Sequence, residues 1–193
     1  MNVAAFKTRA IEWWAHARAN PLFWRGALGA AVIAAADQLS KYWIVHQVKL
    51  PEKRQIEISG IFDLTFVQNY GASFGMLHGA RWPLALLSTT VALALLYWLG
   101  NLKRRMAAIG VSFVVGGALG NLYDRLAYGY VVDFLDFSGV PFPNIERIPD
   151  FPFISIFIGG FVWVFNIADA AINVGIAFIL LDAYLTREKK PGA

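Results

Sequence analysis

The chain contains no cysteine, which excludes at once a disulfide framework, a thiolate metal site, a redox cysteine pair and a cysteine nucleophile. Absence of thiols fits oxidising and reducing compartments equally. Charge is also scarce. Only 16% of the 193 residues are Asp, Glu, Lys or Arg, against about 25% in an ordinary soluble domain. The three histidines, His16, His46 and His78, are scattered along the chain, leaving no His-rich metal site and no triad base for a serine. There is no Gly-x-Ser-x-Gly elbow and no glycine-rich phosphate loop ending in Gly-Lys-Ser or Gly-Lys-Thr. The net charge of +4 is not gathered into a basic stripe, so nucleic acid is not an expected partner and membrane lipids are.

What the sequence has in excess is apolar surface. Hydrophobic residues make up 58% of it, with a mean hydropathy of +0.51. A soluble domain of that composition would precipitate, and the balance points to a membrane protein forming one compact unit. A bilayer core about 30 Å thick needs roughly 20 apolar residues in helix. Four segments qualify: Gly26 to Val45, Trp82 to Leu99, Met106 to Tyr123, and part of Phe151 to Leu181. The last is too long for one span. Its first part, with Pro152, the run Phe153 to Ile158 and Gly159-Gly160, reads as a strand or interfacial hairpin, and the helix is expected from near Phe165 to near Tyr184.

The Lys and Arg count sets the orientation. Ten lie before span one, between spans two and three, or after span four, and six lie in the other two connections. Both termini are therefore expected inside, with connections 48–81 and 124–164 facing outward. Met1 to Arg25 does not read as a cleavable signal peptide, because the apolar run after it is long and carries Asp37 and Lys41. Phe6, Ile11, Trp13 and Trp14 among basic residues suggest an amphipathic interfacial helix. The expected organisation is a cytoplasmic or interfacial segment 1–25, a membrane domain 26–185 and a short cytoplasmic tail 186–193, frayed at its end. In the first outer connection, Phe62 to Val67 alternates with period two and reads as a strand.

Ionisable side chains in or beside a span are costly and are functional candidates by default. Asp37 and Lys41 are four apart on one helical face, where a structural ion pair is the simpler reading, and Gln38 beside them can bond a neighbouring helix. Asn69-Tyr70-Gly71-Ala72-Ser73-Phe74-Gly75, taken alone, reads as a turn. Gly116 and Gly120 have the spacing that lets a second helix approach closely. Asn121, Asp124 and Arg125 then share a face at the end of the span, reading equally as a salt bridge or as a substrate-positioning group. Asp133 sits in the apolar run Val131 to Leu135 with no local cation. Asn166, Asp169 and Asn173 form a polar stripe on the last helix, with Asp169 about one turn in from its outer end.

Asp133 and Asp169 thus converge on one membrane face. Two carboxylates in a low-dielectric site do not both ionise easily, so one holds a proton while the other takes one from water. A Mg²⁺ ion bound through Asp124, Asp133, Asp136 and Asp169 is a competing use of the same acids, although such ions normally serve phosphate substrates. A proton-coupled carrier using Asp37, Lys41, Asp124 and Asp169 is another, and an inactive scaffold a third.

At this point the chain resembles a family, lipoprotein signal peptidase or signal peptidase II, the aspartic membrane protease of bacteria. Five stretches carry the resemblance: Asp37 to Lys41, Asn69 to Gly75, Gly116 to Arg125, Gly129 to Phe134 and Phe165 to Asp169. It implies an all-α membrane protein with four transmembrane helices and a small outward-facing β-platform, in the bacterial inner membrane with its active site at the outer face. It implies hydrolysis just before the diacylglyceryl-modified cysteine of a prolipoprotein, without a cofactor or metal, and sensitivity to the cyclic peptide globomycin. The family's catalytic pair falls on Asp133 and Asp169. Asn69, Gly71, Asn121, Asp124, Arg125 and Asn166 carry over as substrate-binding or site-supporting, and Asp37, Gln38 and Lys41 as structural. One departure is the long segment between the two acids, with Pro141, Pro143, Pro149, Pro152 and the apolar Phe151 to Trp163.

Overall fold

The computed structural model describes residues 3–71, 81–137 and 164–187. In chain order these form α1 (Val3–Ala19), α2 (Pro21–Tyr42), a π-helical turn (Trp43–Gln47), α3 (Leu50–Lys53), β1 (Gln55–Glu57), β2 (Asp63–Asn69), α4 (Arg81–Asn101), α5 (Arg105–Ala127), β3 (Val131–Asp136), β4 (Val164–Phe165) and α6 (Ile167–Arg187). The protein is mostly helical with a small antiparallel sheet. Helices α4, α5 and α6 are each long and apolar enough to cross a membrane. The strand or hairpin expected at Phe151 to Ile158, the proline-rich stretch before it, Ala72 to Gly75 of the second motif and the end of the tail lie outside the described residues.

Helix α2 begins at Pro21, ahead of the expected Gly26, because Asn20 stops one helix and starts the next. Its side-chain oxygen accepts the Leu22 N–H at 3.0 Å and Pro21 needs no partner for its nitrogen. The Asn20 amide also donates to the carbonyls of Gly100 and Leu102, at 3.1 and 2.9 Å, tying this start to the α4–α5 turn. Trp13 of α1 stacks on Tyr97 at 5.2 Å and donates to its carbonyl, so α1 packs against the end of α4.

Helix α5 is the centre of the bundle. Of its most apolar stretch 67% is buried, against 22% for α4 and α6. Small residues bring its neighbours in. A side chain at Gly116 would meet the Ala30 carbonyl and Ile33 of α2, and one at Gly117 would meet the Ala168 carbonyl and Ile172 of α6. The close approach expected from Gly116 and Gly120 is therefore realised with α2, and Gly117 adds a second one with α6; together they bring the start of α6 and the ends of α2 and α5 together beneath the sheet.

The sheet has the order β1-β2-β3-β4, antiparallel throughout. Strand β3 is buried along nearly its whole length, and Val132 and Phe134 pack with Ile44 and Leu50 from the α2 side. Between β2 and β3 the pairing shifts: Leu64 faces Leu135, but Val67 faces Asp133. Two residues of β2, Thr65 and Phe66, thus oppose the single Phe134, a β-bulge. The Phe66 N–H is satisfied by the Arg54 carbonyl at 2.8 Å. Because side chains alternate, this one extra residue decides which face of β2 lies over Asp133.

Candidate active site

Asp133 lies in the middle of β3 and is 1% exposed. Both of its oxygens accept from amides: Oδ1 from Asn166 Nδ2 at 2.7 Å, and Oδ2 from Asn69 Nδ2 at 3.0 Å. Asn69 reaches it because of the bulge, which makes Asn69 the diagonal neighbour of Asp133 on one face; in an unshifted register that place would fall to Gln68. The Gly71 N–H bonds to Asn69 Oδ1 at 3.1 Å, an Asx turn that leaves the amide nitrogen aimed at Asp133. The expected turn at Asn69 and Gly71 therefore also orients a site residue. Burial pushes the Asp133 carboxyl up to about 7, with the Asp169 charge acting in the same direction and the Asn69 and Asn166 donors opposing both.

Asp169 stands in the first turn of α6. Asn166 caps that helix: its Oδ1 accepts the Asp169 N–H at 2.9 Å, while the Asn166 N–H faces Asp169 Oδ2 at 3.4 Å, a reciprocal capping box. The other oxygen, Oδ1, accepts from Asn121 Nδ2 at 2.8 Å. Asn121 Oδ1 in turn accepts from Asn166 Nδ2 at 3.1 Å. The two carboxylates are thus linked through a closed pair of asparagines from α5 and the start of α6. The helix starts after Asn166, so that residue is a cap and does not begin the stripe as expected. Asn173 only returns to the Asp169 carbonyl, at 3.1 Å.

Behind these acids is a buried ion network. Lys41 Nζ lies 2.8 Å from Asp37 Oδ2, as the four-residue spacing suggested, and 2.9 Å from Asp124 Oδ2. It also reaches Asn121 Oδ1 at 3.3 Å. Gln38 spans α2 and α5, donating to the Gly120 carbonyl at 3.1 Å and Asp124 Oδ1 at 2.8 Å. Asp37 Oδ1 accepts the Ala168 N–H at 2.9 Å, and Asp124 Oδ2 the Val132 N–H at 3.0 Å. Each of these carboxylates therefore fixes one element carrying an acid of the pair: Asp37 holds the start of α6, and Asp124 holds β3.

The reading of Asp124 with Arg125 as a salt bridge is corrected here. Consecutive helical residues point about 100° apart; Asp124 turns to Lys41, and Arg125 donates to the Asn121 carbonyl at 3.3 Å while lying within electrostatic reach of Asp169, Asp133 and Asp124. Sequence spacing within one helix carried no sign of Lys41 as the partner, since the pair spans two helices. The four acids considered for Mg²⁺ do not meet either, for Asp136 takes the Thr65 hydroxyl at 2.6 Å and Asp124 the lysine. Among the described residues no group of three or more His, Cys, Asp or Glu is placed to hold a metal.

A cavity of about 430 Å³ stands apart from Asp133 and Asp169, neither of which lines it. It lies on the other side of the ion network, where Gln38 and Lys41 meet Tyr42, Tyr123, Tyr130 and Val132. No spacing along the chain groups these tyrosines, which come from α2, α5 and the turn before β3.

This arrangement has close counterparts. The family model described as Signal peptidase (SPase) II matches residues 29–185. A lipoprotein signal peptidase of Caulobacter vibrioides is 40% identical over 165 residues, 83% of this chain and 87% of that protein. One of Brevibacillus brevis is 38% identical over 162 residues, 83% of this chain and 95% of that protein. A solved structure described as a bacterial membrane enzyme, determined by the in meso method, superposes with a TM-score of 0.65 at 28% identity, covering 88% of this chain and 93% of the other. With the match running from α2 to the end of α6 and including every carboxylate and amide just described, the chain belongs to the signal peptidase II family of proteases.

Proposed function

We propose that this chain removes the signal peptide from diacylglyceryl-modified prolipoproteins, cutting just before the lipidated cysteine, with Asp133 and Asp169 as the catalytic pair and no cofactor. The observation that carries the reading is Asn166, whose one side chain donates to Asp133 and caps the helix that bears Asp169. Holding both acids on one amide fixes their separation, which a shared water requires. Below its raised pKa of about 7 the carboxyl of Asp133 holds a proton. It polarises the scissile carbonyl while Asp169 takes a proton from the attacking water; the proton on Asp169 then passes to the leaving amine. Asn69, Asn121 and Asn166 hold the pair, Gly71 orients Asn69, and Arg125 supplies positive potential beside it. Asp37, Gln38, Lys41 and Asp124 lock α2, α5, α6 and β3 around the site.

In this reading α2 is a fourth membrane span. At 22 residues it is about 33 Å long, and the charges that lower its hydropathy are hidden: Asp37 is 0% and Lys41 4% exposed. What α2 presents outward is Leu28, Val32 and Leu39, matched by Leu86 and Leu93 on α4 and Leu180 on α6. An apolar belt on every side of a bundle suits lipid and not water. The basic excess puts both termini in the cytoplasm and the sheet and acids at the outer face of the inner membrane. Residues 1–25 then form an interfacial segment, 26–185 the peptidase domain and 186–193 a cytoplasmic tail.

The test uses the full chain purified in detergent and a synthetic prolipoprotein peptide with or without the diacylglyceryl group. Mass spectrometry should find a product starting at the lipidated cysteine, and an intact unmodified peptide. A lipidated substrate left whole, or cut at another bond, would contradict the proposal.

A further inference from the structure

At the end of the bundle opposite the sheet, a cleft of about 230 Å³ opens between the start of α2 and the start of α5. Its rim carries two exposed arginines, Arg25 and Arg105, and its walls are Leu22, Ala108 and Ile109. The Ser112 hydroxyl in the cleft is turned back onto the Ala108 carbonyl at 2.7 Å, so the floor offers carbon more than hydrogen bonds. Among the described residues no ion pair joins Arg25 or Arg105 to a carboxylate. The acid at this end of α6, Asp182, is already engaged by Arg104 at 3.0 Å. Helix α5 also starts at Arg105 without a side-chain cap, and its positive end adds to the same potential.

Two guanidinium groups above a narrow apolar slot fit one chemistry: a phosphate with a hydrocarbon chain attached. Guanidinium forks suit phosphate oxygens, and basic pockets between spanning helices on the cytoplasmic side take anionic lipid headgroups. The volume is below that of a site for a drug-sized ligand, and it suits a headgroup phosphate and the first carbons of one chain. We propose that this cleft is a binding site for an anionic phospholipid of the cytoplasmic leaflet, with its phosphate held by Arg25 and Arg105 and an acyl chain running along Leu22, Ala108 and Ile109. The site rests on the proposed topology, which puts this end at the cytoplasmic face, and is independent of the catalytic acids.

The test is native mass spectrometry of the full chain in detergent, titrated separately with phosphatidylglycerol, phosphatidylethanolamine and inorganic phosphate. Each arginine near an anionic headgroup contributes roughly fivefold, so R25Q/R105Q should bind phosphatidylglycerol on the order of 30-fold more weakly than wild type. A control pair, R9Q/K103Q, removes the same charge from exposed positions that do not line the cleft and should bind as wild type does. I109W keeps every charge but fills the slot, and should also weaken binding. Equal binding by R25Q/R105Q and wild type overturns the proposal. So does an equal loss in R9Q/K103Q, which means diffuse attraction, or unaltered binding by I109W. Inorganic phosphate or phosphatidylethanolamine bound as tightly as phosphatidylglycerol also overturns it, as a free-anion or an unselective site. Peptidase activity measured on the same preparation reports separately on the reading of Asp133 and Asp169.

Discussion

The side-chain nitrogen of Asn166 lies 2.7 Å from Asp133 Oδ1, and the oxygen of that same amide lies 2.9 Å from the Asp169 backbone nitrogen. One residue therefore bears on the protonation of Asp133 and on the placement of both acids. Its nitrogen donates to a carboxylate whose burial disfavours charge, and its oxygen ends the chain's approach to α6.

These two jobs separate in Asn166→Ser. Serine still caps a helix but is too short to reach Asp133. Loss of a donor to a carboxylate raises its pKa, so the alkaline limb of kcat/KM for prolipoprotein cleavage, expected near pH 7 in wild type, should move to higher pH. Loss of a hydrogen bond to the protonated acid costs about 0.5–1.5 kcal/mol, or roughly 2- to 10-fold in kcat/KM below that limb. A pH profile with its alkaline limb unmoved would show that the Asn166 amide does not tune Asp133.

Stability should carry the opposite signature at Asp133 itself. Its folded pKa of about 7 exceeds the ordinary 3.8. The fold therefore favours the protonated form, and this contribution is full below about pH 3.8 and lost as the pH rises through about 7. Asp133→Asn, which cannot ionise, should gain on wild type between pH 4 and pH 8 by up to about 4 kcal/mol. Thermal unfolding in detergent measures this, and a difference between the two proteins that does not grow with pH would contradict it.

Lys41 serves two buried carboxylates, Asp37 and Asp124. Lys41→Met leaves both without their cation, and breaking a buried pair in this way costs about 3–5 kcal/mol. At about 2–4 °C per kcal/mol for a chain of this size, the melting temperature should fall by roughly 6–20 °C. Adding Asp37→Asn and Asp124→Asn to the same protein should recover much of the loss. A single Lys41→Met variant as stable as wild type would mean that the network is solvated.

Asn69 is the second amide on Asp133, donating to Oδ2 at 3.0 Å. Asn69→Leu removes that donor and keeps the strand. Loss of a hydrogen bond to the protonated acid costs about 0.5–1.5 kcal/mol, so kcat/KM should fall roughly 2- to 10-fold, with the alkaline limb moved to higher pH. An unchanged rate and pH profile would show that Asn69 is dispensable.

How legible this was in the sequence differs from residue to residue. The apolar runs marked α4, α5 and α6 to within a few residues, because a helix in lipid must be both long and apolar. Alternation marked β2, and the four-residue spacing marked the Asp37 and Lys41 pair. Everything that depended on a partner in another element was out of reach. Asp124 looked like the mate of Arg125 because they are adjacent, whereas only the approach of α2 to Gly116 and Gly120 brings Lys41 to it. The bulge left no trace, since Thr65 and Phe66 continue a plausible strand. Asn166 was placed inside the last helix because polar residues at its spacing form a stripe, yet its short amide serves the helix better from outside. The cleft between Arg25 and Arg105 needed the crossing of α2 and α5 to exist at all.

The most direct measurement is cleavage of a diacylglyceryl prolipoprotein by wild type, Asp133→Asn, Asp169→Asn and the double variant under single-turnover conditions. Acids that act as one unit do not contribute additively. Each single variant should lose roughly 10⁴-fold or more in rate, with the double variant little slower than either. A single variant that cleaves at close to the wild-type rate would contradict catalysis by this pair.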